Sequence, residues 1–205
     1  TPGEENIFAL RPVAEAIRPR LTERALAAGG GLAEADPILV PGRNLRGLGL
    51  LLALPGLLEV GVLTAARKVY RALKPGFYGL TSTILTLLFM ALFRIKRPEA
   101  IKGQPPEILG RVLGLDRSPE VKTIRRKLGE LAGRQQGHEL LGEIARTMRE
   151  DLEDLLGFLY VDGHVRAYHG KWKIPKTWVP CRRLCLPATT DYWVNDAEGG
   201  PFLFL

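Results

Sequence analysis

An α+β fold is predicted by three observations. Apolar residues recur at three- and four-residue steps up to about residue 156, and β-branched and aromatic runs dominate after it. Glycine and proline clusters punctuate both halves. A helical front followed by a strand-rich back places a boundary near 156. Finer punctuation gives a poorly defined segment over 1–46, an apolar helical region over 47–105, helix-turn-helix-like helices over 106–156, and strands over 157–205.

Residues 9–28 carry Ala and Leu on one side and Arg and Glu on the other, which reads as a helix stopped by Gly29-Gly30-Gly31. A loose stretch with Pro37 and Pro41 runs on to Arg46. Leu48 to Leu63 is very apolar but is broken by Pro55-Gly56 and carries Glu59. Leu57 to Leu73 reads as a helix with a cationic far half, Arg67, Lys68 and Arg71, before the turn Lys74-Pro75-Gly76. Leu80 to Ile95 is a second apolar helix, ended by Lys96-Arg97-Pro98. A membrane span needs ~20 apolar residues. The first run is interrupted, and the second contains Thr81, Ser82, Thr83, Thr86 and Arg94, so a buried core or dimerisation helix is expected and no membrane partner.

Three helices follow: Ile108 to Leu115, a second opened by Pro119 and running to about Gly133, and His138 to Leu156. Strands are expected over Phe158 to Val161, within a stretch to Tyr168 that reads as a strand lifting a carboxylate to its tip, and over Leu184 to Trp193 and Phe202 to Leu205, with a turn over Asn195 to Gly200. The last strand ends inside an apolar run, so the chain is expected to be the front part of a larger core.

The net charge is +7, which favours a polyanionic partner. Residues 94–134 hold eleven Lys/Arg against five Asp/Glu, and 162–185 hold six against one; 135–161 between them are net −4. Two basic blocks suit a protein that meets a phosphate backbone at two places, although either block alone also reads as a solvated helix face. Two cysteines, Cys181 and Cys185, are too few for a disulfide framework. The N-terminus carries Glu4 and Glu5 without an apolar stretch, so it does not read as a signal peptide and a cytoplasmic location is expected.

Four motifs could carry chemistry. The first spans Leu109 to Leu128: a short helix ends at Gly114, and a second presents Lys122, Arg125, Arg126 and Lys127. This is the layout of a helix-turn-helix, with cations placed for phosphates and base edges. Val121, Ile124, Leu128 and Leu131 would pack inward. The same pattern also describes an ordinary helical hairpin with a basic face. The second motif is Asp162, a carboxylate at the end of an apolar strand and followed by Gly163, available to a divalent cation or serving as a turn former. The third, His164, His169, Cys181 and Cys185, has metal-ligand types but matches no common zinc spacing. The last is the loop His169 to Trp178, where Lys171, Trp172 and Lys173 suit contact with unpaired DNA ends or pack as an ordinary surface loop.

With these residues assembled, the chain resembles the front portion of a bacterial insertion-sequence transposase of the DDE type, with a ribonuclease-H-like core. Three stretches carry the resemblance: Phe77-Tyr78-Gly79-Leu80 through Ile95 to Glu99, Leu113 to Arg117 with Glu120 to Leu128, and Leu159 to Gly170 with Leu186 to Asp196. The resemblance implies that 157–205 is the opening, incomplete part of that core. It implies DNA ends as partner and two Mg²⁺ or Mn²⁺ ions held by three acids, the first of which falls on Asp162. The other two come from a later strand and a later helix, which this chain does not reach; Asp191, Asp196 and Glu198 are not assigned that role. It also implies that the chain alone is inactive in strand transfer and is part of a homo-oligomer or a truncated product. Competing expectations are a non-catalytic DNA-binding regulator and, behind it, a membrane-associated protein using 48–95.

Overall fold

The computed structural model describes residues 19–41, 47–151 and 157–204, and these form two compact units divided between Gln135 and Gln136. The α+β class holds: the first unit is helical and the second joins one helix to an antiparallel sheet.

The helical unit contains α1 (Leu21–Ala28), α2 (Leu54–Glu59), α3 (Val62–Tyr70), α4 (Leu80–Leu92), α5 (Pro106–Val112) and α6 (Val121–Gly133). Short 3-10 turns at Leu48–Ala53 and Pro98–Gly103 supplement them. Of the helix expected over 9–28, residues 9–18 lie outside the described residues. The break expected at Pro55-Gly56 falls instead at Gly61, which adopts φ 77° between α2 and α3. Pro55 sits in the first turn of α2, where its missing N–H would be unpaired anyway. No single described helix is long and apolar enough to cross a membrane. Leu48–Glu59 and Val62–Tyr70 pass by length and composition only as a pair, bent by 58°.

Helix α4 is the centre of this unit. Leu80, Ile84, Leu85, Phe89 and Met90 are buried, with Phe89 only 1% exposed, and Val112, Leu113 and Ile124 belong to the same core cluster. Two of its buried hydroxyls are satisfied by its own backbone and cap: Thr83 Oγ1 donates to Gly79 O at 2.5 Å and Thr86 Oγ1 to Ser82 O at 2.6 Å. Glu34 caps the start, accepting from Thr81 N and Thr81 Oγ1, both at 3.0 Å. A side chain at Gly79 would collide with Glu34, so the glycine makes room for the cap. The helix ends three residues short of the expected Ile95. Arg94 is left-handed (φ 56°) and Ile95 N returns to Met90 O at 2.8 Å, closing the turn.

The second unit holds α7 (Gly137–Asp151), packed against β4, and strands β1 (Tyr160–Ala167), β2 (Lys176–Val179), β3 (Leu184–Asn195) and β4 (Pro201–Phe204). All pairings are antiparallel, and β3 is the common partner of the other three. The first strand does not stop at Val161; it continues through Asp162-Gly163 to Ala167. Gly163 pairs with Tyr192, and a Cβ there would sit 3.3 Å from the tyrosine ring, so the missing side chain leaves space for that ring. Between β3 and β4, Asp196 accepts from Gly200 N at 2.7 Å and Glu198 N at 3.0 Å, as the expected turn former.

Candidate nucleic-acid interface and sheet carboxylate

Helices α5 and α6 are joined by residues 113–120, and the joint is tightly built. Gly110 packs so closely on the Arg117 main chain that any Cβ would overlap it. Leu115 N donates to Gly110 O, and Ser118 N to Pro106 O, both at 2.8 Å. The side chain of Asp116 is only 5% exposed. It accepts from Arg24 Nε at 2.7 Å, Arg24 Nη2 at 2.5 Å, Arg117 N at 2.9 Å and Arg20 N at 3.2 Å. Burial alone would raise this carboxyl, but the Arg24 guanidinium and the amides of Arg20 and Arg117 outweigh it and hold the pKa below the usual carboxylate range. Arg24 also lies 3.9 Å over the Phe77 ring and donates to Tyr78 Oη at 3.2 Å. Segment 19–41, whose sequence pattern predicts a helix but no role, is thereby tied to the α5–α6 joint; Ile38 N donates to Gly114 O at 2.7 Å.

The inward face of α6 is as the spacing predicts, with Ile124 and Leu131 buried and Val121 and Leu128 packed beside the core. Lys122, Arg125 and Arg126 are exposed. Arg125 pairs with Glu99, Nε to Oε1 at 2.6 Å, and that hydrogen bond holds the Glu99 carboxyl below its ordinary range. Beside them is a groove of about 680 Å³, lined by Ile101, Lys102, Pro106, Pro119, Val121 and Lys122 among others.

Lys127 departs from the expected cationic face. It is 3% exposed, its Nζ donates to Lys74 O at 2.7 Å, and Glu130 lies 3.7 Å away. Burial pushes its ammonium below the usual lysine range, against the pull of Glu130. Its place is inside the helical unit, where it cannot meet a phosphate in this arrangement.

On the sheet, alternation puts Tyr160, Asp162, His164 and Arg166 on one face of β1, with Trp193, Asp191 and Thr189 on the same face of β3. Asp162 is exposed, third of eight residues along β1 rather than at its tip, and opposite Trp193. The Trp193 ring packs on Phe204, with centroids 4.8 Å apart. Arg166 Nη2 lies 2.6 Å from Asp191 Oδ2, an ionic contact rather than an aligned hydrogen bond. Lys171, Trp172 and Lys173 are exposed, Trp172 at 81%. Cys181 and Cys185 are free and exposed.

A two-metal centre needs several carboxylates converging on one point. The described residues do not supply it around Asp162. Asp191 is engaged by Arg166, Asp196 is spent on its turn, and no group of three or more His, Cys, Asp or Glu is placed to hold an ion among the described residues.

Together these features define a basic α+β protein with a helical unit that shows cations on α6 and a sheet unit that displays the exposed carboxylate of Asp162 on β1. The chain belongs to a family of transposase proteins, whose model matches residues 17–205. No curated protein and no solved structure matches it.

Proposed function

We propose that this transposase-family chain binds the DNA ends of an insertion sequence through α6, and that it is of the DDE type, with Asp162 as the first metal-binding acid of a ribonuclease-H-like core. The observation that carries the reading is the family match over 17–205, joined to an α6 whose inner face is fixed in the core while Lys122, Arg125 and Arg126 stay in solvent. The α5–α6 pair supports a helix-turn-helix-like role, with α6 as the helix laid on DNA. Lys171, Trp172 and Lys173 supply a second contact, to unpaired bases near the cut. The antiparallel order β1, β3, β4, with the acid on the first strand, supports the core assignment. Mg²⁺ or Mn²⁺ would bring the activation of water and of a DNA 3′-hydroxyl. The carboxylates of the described residues do not complete that centre by themselves.

The double substitution Lys122→Ala with Arg126→Ala is expected to weaken binding to end-containing duplex roughly 10- to 100-fold at about 0.1 M salt. It should also flatten the log–log salt slope by about 2, one unit for each phosphate left without its cation. Fluorescence anisotropy across a salt series measures both. Unchanged affinity and slope would remove α6 from the interface.

Asp162→Asn separates binding from chemistry. It is expected to leave end affinity within about twofold while abolishing divalent-dependent joining of ends in an assay whose transposase carries the two further acids together with this sequence. Joining at the parent rate would strip Asp162 of its catalytic role.

A further inference from the structure

Between Gly163 and Thr190 the chain has no Asp or Glu but six cations: Arg166, Lys171, Lys173, Lys176, Arg182 and Arg183. The fold gathers the last three onto a hairpin. Strand β2 pairs with Leu184–Pro187 of β3, and Pro180–Arg182 forms a tight turn that closes with Arg183 N on Pro180 O at 3.2 Å. Lys176, Arg182 and Arg183 are exposed, and so are Trp178 (53%) and Leu184.

Register decides which way the hairpin faces. Trp178 lies opposite Cys185 and Lys176 opposite Pro187, while Asp162 lies opposite Trp193. Cys185, Pro187, Thr189, Asp191 and Trp193 alternate onto one face of the continuous strand β3. Trp178, Lys176, Arg166, His164 and Asp162 therefore share that face in this order along the sheet. Eight residue steps lead from Cys185 to Trp193. At about 3.3 Å per residue the path is ~26 Å long, enough for at least four nucleotides, the lower end of the ~4–16-nucleotide range for single-strand sites.

We infer that the β2–β3 hairpin is a binding arm for an unpaired DNA strand, which it leads along this face to Asp162. The proposal rests on the DNA-binding reading above and assigns it Lys176, Trp178, Arg182 and Arg183. Exposed indoles offer stacking faces to bases, which a paired duplex does not present, and the flanking cations match the phosphates. An anionic lipid surface would also attract lysine and tryptophan. The track toward the open carboxylate, in a transposase-family chain, favours the nucleic acid.

The test uses the full chain with three probes: blunt duplex, the same duplex with a 3′ single-stranded extension of about ten nucleotides, and phosphatidylserine vesicles. The parent is expected to bind the extended duplex about tenfold tighter than the blunt one and to show quenched tryptophan fluorescence, the scale of one or two stacked bases. Trp178→Leu should erase that preference without changing blunt-duplex affinity, and Trp178→Phe should restore most of it. Arg182→Gln with Arg183→Asn, the latter chosen because asparagine tolerates the left-handed backbone at φ 51°, should erase it as well. Retained blunt-duplex binding shows that the helical unit of each variant is folded, and an unchanged circular dichroism spectrum shows the same of the sheet unit. An unaltered preference in both hairpin variants overturns the inference and leaves α6 untouched. Equal loss on both DNAs, or quenching by vesicles but not by DNA, also overturns it. Failure of the parent to bind either DNA overturns the α6 reading with it.

Discussion

Asp116→Ala is expected to destabilise the helical unit by about 3 kcal/mol, the lower end of the ~3–5 kcal/mol range for breaking a buried ion pair from one side. The lower end applies because the Arg24 side chain, left behind, is still 20% exposed and recovers some hydration. The carboxylate also receives the amides of Arg20 and Arg117, so its loss strands donors as well as a charge. Urea unfolding at neutral pH measures the difference. The pH dependence gives an independent check. The folded-state pKa of Asp116 lies below the unfolded value, so its contribution is fully present above the ordinary carboxylate pKa and is lost as pH falls through the depressed one. The gap between parent and variant should close on that acid side and nowhere else. A constant gap down to the lowest accessible pH would mean that Asp116 acts through packing instead.

Phe89→Ala should be at least as damaging, by about 3–5 kcal/mol, because it removes the largest fully buried side chain among the described residues, in the last turn of α4. The core around it includes Leu109, Val112, Leu113 and Ile124, contributed by α5, α6 and the joint between them. A cavity there loosens the support beneath the cationic face as well as the unit itself. Binding to end DNA is expected to weaken at temperatures where the variant still melts cooperatively, which calorimetry and anisotropy together would reveal. A melting temperature within a degree or two of the parent's would show that the core collapses to fill the space.

Much of this architecture is legible in the residues. The apolar run from Leu80 announces α4, and the three- and four-residue spacing of Val121, Ile124, Leu128 and Leu131 announces the buried side of α6. Lys127 is legible too. It stands three residues after Ile124 and four before Leu131, on the same stripe, so helical geometry alone turns it inward. Charge suggests the outer face for it, and angle is the better guide. Asp162-Gly163 reads as a strand end by local turn chemistry, whereas pairing with Trp193 and Tyr192 carries β1 on through it. That pairing is a tertiary fact with no local trace. Strand β2 is four residues between Pro175 and Pro180, too short for periodicity to register. The role of 19–41 depends on Arg24 reaching Asp116 and Glu34 reaching Thr81, partners 92 and 47 positions away, which no window along the chain can capture.

The grip of Lys127 on the carbonyl of Lys74 has a parallel in Arg134, whose guanidinium donates to the carbonyl of Tyr70. Both cations fasten α6 and its C-terminal end to peptide oxygens, and every amino acid offers the same oxygen. Sequence drift at position 74 would thus leave its anchoring carbonyl in place, whatever side chain arrives there. Roll about the helix axis, and with it the direction in which Lys122 and Arg126 aim, is set by fixtures that mutation of the opposing side chain does not erase.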